Sequence, residues 1–316
     1  MPVKNRQCCR KTSETVYFLW ARGWVRVLSV LVPCQEDGLL LFPTLKSIFL
    51  NQFLAEDFEV LLICSDGVSV SENVNEFPVR MYFGAFEGQA QALNWGLRKT
   101  RGDIVCITKP GCVVASNWLS EIARFLRDNQ EVSGVGGPVL PCWEYGTKTQ
   151  KLASQIFHEE QGFPDSVTFL KLGNYQGLLH ATNSAFRKEA LKPLKFDESF
   201  SYDYDFDVCW KMLRKGYRLA YNPGMKVRYI FPLSMCGLLN RYYCWGRENV
   251  ILRRRYSYQT GLKSHLYAPY HMVRSLLQPS SLISRKKMLR FVQHLAFNLG
   301  RISGMTSRLK SHTSQH

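Results

Sequence analysis

Buried strands and amphipathic helices alternate along the first half of the chain. Apolar runs rich in β-branched residues predict four strands, at 26–32 (ended by Pro33), 58–64, 79–83 and 104–107. Apolar residues at helical spacing predict three helices, over 39–52, 88–99 and 118–129. This alternation indicates an α/β fold with a mostly parallel sheet, flanking helices and right-handed crossovers.

The second half carries a less regular pattern. A strand is predicted over 135–139, and residues 142–175 are predicted to be irregular. A polar turn at 182–184 leads into a helix start that reaches Leu191. Residues 204–218 have acidic side chains first, basic side chains last and a glycine stop, which predicts an amphipathic helix. Asp205 falls in its first turn, where it can cap the helix or face a ligand.

The end of the fourth strand is the most informative position for chemistry. Lys109-Pro110-Gly111 breaks the strand sharply after Ile107. In an open α/β sheet, ligands bind at the carboxyl ends of the strands, so residues 33–37 and 65–66 should lie near Lys109. Asp66 could accept hydrogen bonds from a nucleoside there, or it could be a turn residue that bonds its own backbone.

Charge is concentrated at the two ends of the chain. The formal net charge is +16, yet residues 251–316 contain twelve Lys or Arg and no Asp or Glu. Residues 1–26 add six basic residues against one acid, which leaves the middle of the chain near neutral. Basic ends favour an anionic partner, such as a membrane surface, a nucleic acid or an acidic polymer.

Cysteine usage and hydropathy predict where the protein resides. The ten cysteines are scattered without a C-x-x-C pair, which fits reduced, buried thiols better than disulfides or zinc ligands. Neither a signal peptide nor a run of about 18 apolar residues is visible. We therefore expect a cytoplasmic protein, peripheral on the cytoplasmic face of a membrane if its tail binds lipid.

The basic tail contains an amphipathic segment. Residues 285–302 place apolar side chains at helical spacing, surrounded by lysines and arginines: Met288, Phe291, Val292, Leu295, Leu299 and Ile302. Such a helix could lie in an anionic membrane interface with its cations on the headgroups. It could equally bury its apolar side on the protein's own domain.

A series of short motifs resembles family-2 glycosyltransferases of the GT-A fold. The motifs occur in the family's order: the strand ending at Pro33, 65–67, 88–94, 101–105, 117–119, 135–138, 183–191, 196–198, 205–207 with Trp210 and 216–218, and 245–247. The resemblance covers residues 26–255. It implies a Rossmann-like, mainly parallel mixed sheet over that range. A basic arm at 1–25 precedes it, and a basic, partly amphipathic helical tail at 256–316 follows.

The resemblance implies sugar transfer from a nucleotide-diphosphate sugar to a sugar or lipid-linked acceptor, with inversion at the anomeric carbon. Asp205 matches the aspartate that acts as general base in the family, although its usual glutamate neighbour is Tyr204. Asp66 matches a carboxylate that contacts the nucleobase, and Asn183 matches a position near the donor sugar or acceptor. The remaining substrate-binding candidates are Pro33, Asp37, Asn94, Lys109, Gly111 and Trp245.

The sequence departs from the family at the usual metal site. Relatives carry Asp-x-Asp after the fourth strand to hold Mn²⁺ or Mg²⁺, and this chain has Lys109, Pro110 and Gly111 there. We predict no metal ligands at these positions. Lys109 could bind the diphosphate as a point charge, with Gly111 allowing close backbone approach, or it could be a surface lysine left after the metal site decayed.

Three classes of function fit these observations. The first is a divergent, metal-independent glycosyltransferase. The second is a catalytically silent relative that binds a sugar nucleotide or a protein partner. The third is a basic polyanion binder, which we disfavour because no nucleic-acid reading motif is present. Only the partial box at 241–245 resembles the Q-x-x-R-W motif, which argues against a processive polymer synthase.

Overall fold

A mixed eight-stranded sheet forms the centre of the protein. The computed structural model describes residues 27–35, 38–51, 57–144, 146–171, 179–230, 234–256 and 285–306. The sheet order is β3-β2-β1-β4-β9-β6-β10-β8, and β5, β11 and β7 form a second, smaller sheet. The strands are β1 Val27–Cys34, β2 Asp57–Ser65, β3 Val79–Gly84, β4 Ile104–Ile107, β5 Cys112–Val114, β6 Val132–Gly136, β7 Val139–Pro141, β8 Thr168–Phe169, β9 Ser184–Arg187, β10 Arg218–Tyr221 and β11 Val227–Tyr229.

Helices flank both faces of the large sheet and enclose two apolar clusters. Apart from single 3₁₀ turns, the helices of the described part of the chain are α1 Leu41–Phe49, α2 Gln89–Leu97, α3 Trp118–Asp128, α4 Lys148–Gln161, α5 Lys188–Leu191, α6 Tyr204–Arg214, α7 Met235–Arg255 and α8 Arg285–Thr306. The predicted α/β class with a mainly parallel sheet is confirmed.

The first four strands run parallel, so their carboxyl ends meet at one edge of the sheet. β1 lies between β2 and β4 and is buried almost throughout, because its apolar side chains face helices on both sides. It continues through Pro33 to Cys34, two residues beyond the predicted end. Proline has no backbone N–H to donate. It is tolerated at position 33 because β4 pairs with β1 only as far as Leu31, so no hydrogen bond to β4 is lost there.

β9 and the small sheet lie at the carboxyl edge of the parallel strands. β9 lies antiparallel between β4 and β6, so the residues just before Ser184 lie at the carboxyl edge of the parallel strands. β5 begins immediately after Gly111 and pairs with β11, which places Tyr229 opposite Cys112. This pairing brings Tyr229 beside the end of β4.

Three predictions for the second half of the chain were wrong in detail. Residues 142–175 contain helix α4, begun by a capping box in which Thr147 and Gln150 bond each other's backbone N–H. The predicted strand 135–139 is two strands in different sheets, separated by Gly137-Pro138. A β-carbon on Gly137 would overlap the carbonyl of Met225, so only glycine fits this crossing. The turn at 182–184 leads into β9 before α5.

Helix α8 packs closely along α7. A β-carbon added at Gly246, Gly300 or Gly304 would overlap the backbone of the opposite helix, so these three glycines allow the two backbones to touch. Glu159 of α4 forms ion pairs with Lys286 and Arg290 at 2.6 Å each, which ties the first half of α8 to the domain.

Helix α8 docks through a different side from the predicted apolar stripe. Its buried residues include Leu289, Gln293, Gly300 and Gly304. Half of the stripe stays exposed, with Met288, Leu299 and Ile302 at 50%, 51% and 56%, while Phe291, Val292 and Leu295 are half-buried. The helix is therefore docked on the protein's own domain, and its binding to a membrane interface stays a prediction. Among the described helices, none is long and apolar enough to cross a membrane.

Candidate active site

A small cavity opens at the carboxyl edge of the parallel strands. It joins Lys109 from the end of β4, Asp205 from the first turn of α6, and Arg241 and Trp245 from successive turns of α7. Its other lining residues are Phe157, His180, Thr182, Tyr202, Tyr204, Phe206 and Tyr229. Acidic, basic and aromatic side chains thus converge where the fold class binds its ligands.

The Asp205 carboxylate is buried in this cavity. Oδ2 accepts a 2.8 Å hydrogen bond from Ala181 N, and Oδ1 accepts one of 2.8 Å from Phe206 N. Burial raises its pKa to about 6, while these N–H groups and the charges of Lys109 and Arg241 pull the pKa down. A carboxylate with a pKa near the working pH is suited to accept a proton. Asp203, and not Asp205, occupies the N-cap position of α6.

The loop before α6 is held by Glu248 of α7. Oε1 accepts a hydrogen bond from Ser201 N at 2.8 Å, and Oε2 accepts bonds from Tyr202 N and Asp203 N at 2.9 Å each. Glu248 therefore fixes the backbone that leads into Asp205. Burial, with the nearby Glu248 and Asp205 charges, raises the pKa of Asp203 well above its usual range.

Lys109 is 9% exposed and points into the cavity wall. Its Nζ lies 3.5 Å from Gln89 Oε1 and 5.8 Å from the ring centre of Tyr229. Gln89 Oε1 also accepts a 2.6 Å hydrogen bond from the Tyr204 hydroxyl, so one amide oxygen connects the end of β4 to α6. Lys109 is thus a buried cation rather than the surface lysine of the alternative interpretation.

Arg241 is 8% exposed and lies among aromatic rings. Its guanidinium carbon is 5.3 Å from the ring centre of Tyr202 and 5.0 Å from that of Trp245, and Nη1 is 3.4 Å from the Tyr229 hydroxyl. Cation–π contacts of this kind orient a guanidinium and partly replace its hydration. Trp245 in turn stacks on Phe157, with 5.8 Å between ring centres.

His180 also lines the cavity and is neutral. Burial is the main cause that lowers its pKa to about 3, and the charges of Lys109 and Arg241 lower it further. Its Nε2 is 3.1 Å from Gln161 Oε1 at the end of α4. Because the charges of Lys109 and Arg241 both lower the pKa of His180, both cations make the electrostatic potential of the cavity more positive.

The structure brings three predicted site residues together and places two more at the same edge. Lys109, Asp205 and Trp245 line the cavity. Pro33 is the next-to-last residue of β1, and Asp66 follows β2 as an exposed turn residue whose backbone N–H bonds Gly84 O. Asp37 lies outside the described residues.

The other three predicted site residues have their polar groups engaged within the fold. Asn183 is fully buried and bonds Trp118, Pro138 and Met225. The Asn94 side chain bonds Phe196 N and O and the Glu198 carboxylate. Gly111 has φ +87° and donates its N–H to Leu40 O and Thr44 Oγ1, and a β-carbon there would lie 2.9 Å from Ile230 O. Gly111 is therefore required by the turn itself.

Sequence reasoning missed Arg241 and His180 as parts of the site. Arg241 and Trp245 are four residues apart and so lie on one helix face, a signal that was present but was interpreted only as a partial motif. His180 precedes β9 at the sheet edge and offered no comparable signal, because β9 itself was not predicted.

Comparison with known proteins agrees with this architecture. Among solved structures, a mannosyltransferase from Pyrobaculum calidifontis, in complex with GDP-Man and Mn²⁺, superposes with a TM-score of 0.61 at 15% identity, covering 90% of this chain and 88% of the other. The S. aureus TarS 1–349 complex with UDP-GlcNAc gives 0.52 at 14% identity, covering 87% and 90%. These likenesses confirm the GT-A fold.

Sequence comparisons give the family. A curated relative is a dolichyl N-acetyl-alpha-D-glucosaminyl phosphate 3-beta-D-2,3-diacetamido-2,3-dideoxy-beta-D-glucuronosyltransferase from Methanococcus voltae, 19% identical over 72% of this chain and 74% of its own length. The family models "Glycosyl transferase family 2" and "Glycosyl transferase family group 2" match residues 29–194 and 112–303. Each match spans more than half of the chain. The chain therefore belongs to glycosyltransferase family 2, the sugar-transferring family that its motifs predict.

Proposed function

We propose that this glycosyltransferase inverts the anomeric carbon, with Asp205 as the general base. The observation that carries the proposal is the buried Asp205 carboxylate, whose pKa is raised to about 6 in the cavity. In the proposed step, the acceptor hydroxyl oxygen forms a bond to the anomeric carbon and gives its proton to Asp205. The bond from the anomeric carbon to the diphosphate oxygen breaks, and its electron pair stays on the diphosphate.

The donor is proposed to lie along the carboxyl edge of β1, β2 and β4. Pro33, Asp37 and Asp66 would contact the nucleoside there, since Pro33 is one of the last two residues of β1 and Asp66 follows the end of the adjacent parallel strand β2. Trp245 would provide an apolar platform for a sugar ring at the far side of Asp205. For Asn94 and Asn183, we propose that they support the site through the backbone segments that they bond.

Asp205→Asn tests the transfer mechanism directly. The amide keeps the shape of the carboxylate but accepts no proton, so donor binding should persist while sugar transfer falls by about a thousandfold or more. Donor binding is measured with a panel of UDP- and GDP-sugars. Sugar transfer is measured as the release and transfer of a labelled sugar from the donor that binds. Asp128→Asn, at the exposed last residue of α3, is the matched control and should transfer like the parent.

Two outcomes would separate the alternatives. Unchanged transfer by Asp205→Asn would remove this residue from the mechanism. Donor binding without any release of sugar in the parent protein would favour a catalytically silent relative.

We propose that the acceptor is lipid-linked and that α8 holds the protein on an anionic membrane surface at the cytoplasmic face. The Methanococcus voltae relative is named for a dolichyl phosphate substrate, which supports a lipid-linked acceptor. The outward stripe of α8 is apolar at Met288, Leu299 and Ile302, and exposed Arg285 and Lys287 flank its beginning. Apolar side chains beside cations are the combination that an anionic interface binds.

The membrane proposal is tested with substitutions that leave α8 docked. In the variant Met288→Gln/Leu299→Gln/Ile302→Gln, all three changes lie on the exposed stripe, so binding to vesicles of phosphatidylcholine and phosphatidylglycerol should fall about tenfold or more. The control Val167→Gln/Phe169→Gln alters exposed apolar side chains elsewhere on the surface and should bind like the parent.

Vesicle charge provides the second arm of this experiment. Flotation should be weaker with phosphatidylcholine alone and should decrease with added salt. If the stripe variant floats as well as the parent, the membrane contact lies elsewhere. Dimerisation of the parent that the stripe variant abolishes would assign the stripe to a second copy of the chain instead.

A further inference from the structure

The active-site cavity carries an excess of positive charge. Lys109 and Arg241 both line it, and both lower the pKa of Asp205 and of His180. His180 is neutral at physiological pH because its pKa is about 3. Among the described lining residues, Asp205 is the only carboxylate. Two cations facing one carboxylate, in a place shielded from water, make the cavity complementary to an anion.

The same residues do not fit the divalent metal that the GT-A fold usually holds. Mn²⁺ and Mg²⁺ need several oxygen ligands, and the chain offers Lys109, Pro110 and Gly111 where relatives carry carboxylates. Within the described ranges, no three His, Cys, Asp or Glu side chains are grouped to hold a metal ion. Both Asp205 oxygens already accept backbone hydrogen bonds, and two nearby cations would repel a third.

We propose that Lys109 and Arg241 together bind the donor diphosphate and stabilise it as the leaving group without a divalent metal. This inference rests on the proposed function and identifies how the same site handles phosphate charge. Arginine can bind two phosphate oxygens through its planar fork, and lysine supplies a compact point charge. Charge that develops on the diphosphate as the glycosidic bond breaks would meet cations that are already in position.

The fold fixes both cations before the ligand arrives. Arg241 is held between the Tyr202 and Trp245 rings, and Lys109 lies over the Tyr229 ring. The Tyr229 hydroxyl is 3.4 Å from Arg241 Nη1, so this tyrosine contacts both cations. The two come from rigid elements, the end of β4 and the middle of α7. Preorganised charge of this kind needs little reorganisation during the reaction.

The first test is binding of UDP, GDP and inorganic pyrophosphate, measured by titration calorimetry in excess EDTA. The parent protein should bind at least one of these probes as tightly in EDTA as with Mn²⁺ or Mg²⁺. Lys109→Ala and Arg241→Lys should each weaken that binding by about tenfold or more, or 1.4 kcal/mol. The exposed lysine variant Lys192→Ala is the matched control and should leave it unchanged.

The chelator experiment keeps the proposal falsifiable even if an Arg241 variant fails to fold, because it uses the parent protein. Loss of binding in EDTA with recovery in Mn²⁺ would overturn the proposal, and so would a Lys109→Ala variant that binds like the parent. Metal-dependent sugar transfer would leave the proposed function standing while this inference failed. Chelator-resistant pyrophosphate binding without any sugar transfer would support this inference while the proposed function failed.

Discussion

Trp118 donates a 2.8 Å hydrogen bond from its indole Nε1 to Oδ1 of Asn183, across the interface between α3 and the start of β9. The amide nitrogen of Asn183 donates to Pro138 O at 2.9 Å and to Met225 O at 2.6 Å. One buried side chain therefore links four segments at the sheet edge. Residues 179–182, which include His180 and the Ala181 N–H bonded to Asp205, depend on this anchor.

We therefore expect Asn183→Ala to act mainly on stability. The substitution removes the partner of the Trp118 indole N–H and of two carbonyls in a buried place, of which Pro138 O keeps a 3.3 Å bond from Val227 N, so the free energy of unfolding should fall by about 3 kcal/mol. Denaturant unfolding measures this change. Asn117→Ala, on an exposed asparagine at the start of the same helix, should change stability by less than about 0.5 kcal/mol. Equal stability of the two variants would contradict the anchor role.

The contrast between Asn183 and Lys109 shows how far sequence reasoning extended. The parallel strands were predicted correctly, because apolar runs that end in turns define such strands well, and the candidate cavity lies at the edge where these strands end. The chemistry of individual polar residues was less predictable. An asparagine in such a motif can serve a ligand or the backbone, and only tertiary packing decides which.

Helix α4 and the α7–α8 contact show a second limit. The Thr147–Gln150 capping box was visible in the sequence, yet the weakly apolar residues after it hid the helix. The apolar stripe of α8 was recognised, but its docking side was not. On that side, Gly300 and Gly304 let the backbones of α7 and α8 come close together. A pattern of hydrophobic positions does not predict such a contact.

Substitution of Glu248 should weaken the site from a distance. Glu248→Gln replaces one acceptor oxygen with a donor that faces the N–H groups of 201–203. Stability should fall by about 2 kcal/mol, and kcat/KM should fall because Tyr202 then orients Arg241 less firmly. Comparing unfolding and kinetics with the exposed Glu189→Gln control measures both effects. A stable Glu248→Gln variant with parental kinetics would exclude a positioning role.

A methyl group at Gly246 should separate α8 from α7. In Gly246→Ala the new β-carbon meets the Phe297 carbonyl, which is rigid backbone and cannot move aside alone. Overpacking of this kind destabilises by about 1–3 kcal/mol. Hydrogen exchange of the amides in 285–306 should accelerate, while exchange in β1 and β4 stays unchanged. Gly88→Ala, where a β-carbon meets nothing within 4 Å, is the glycine control.

The pH dependence of transfer should report Asp205. Its pKa of about 6 arises mainly from burial, and the charges of Lys109 and Arg241 pull it down. Neutral His180, Asp203 and the cavity tyrosines Tyr202, Tyr204 and Tyr229 are further titratable groups near it. Because a general base acts in its ionised form and kcat/KM reports the free enzyme, kcat/KM should rise as the pH increases through about 6 and then level off. The residual activity of Asp205→Asn should not show this rise with pH. A kcat/KM that is flat between pH 5 and pH 8 would contradict the assignment.

Stability should change in the opposite direction over the same range. An unfolded aspartate has a pKa of about 3.9, so the folded protein binds this proton more tightly than the unfolded chain does. The resulting stabilisation is fully present below about pH 4 and is lost as the pH rises through about 6. Asp205→Asn removes this loss, so its stability relative to the parent should increase by about 1–3 kcal/mol between pH 4 and pH 7. Denaturant unfolding of both proteins at several pH values measures the difference, with the exposed Asp66→Asn variant as control. A parent and variant whose stabilities stay parallel from pH 4 to pH 7 would show that Asp205 does not titrate in this window.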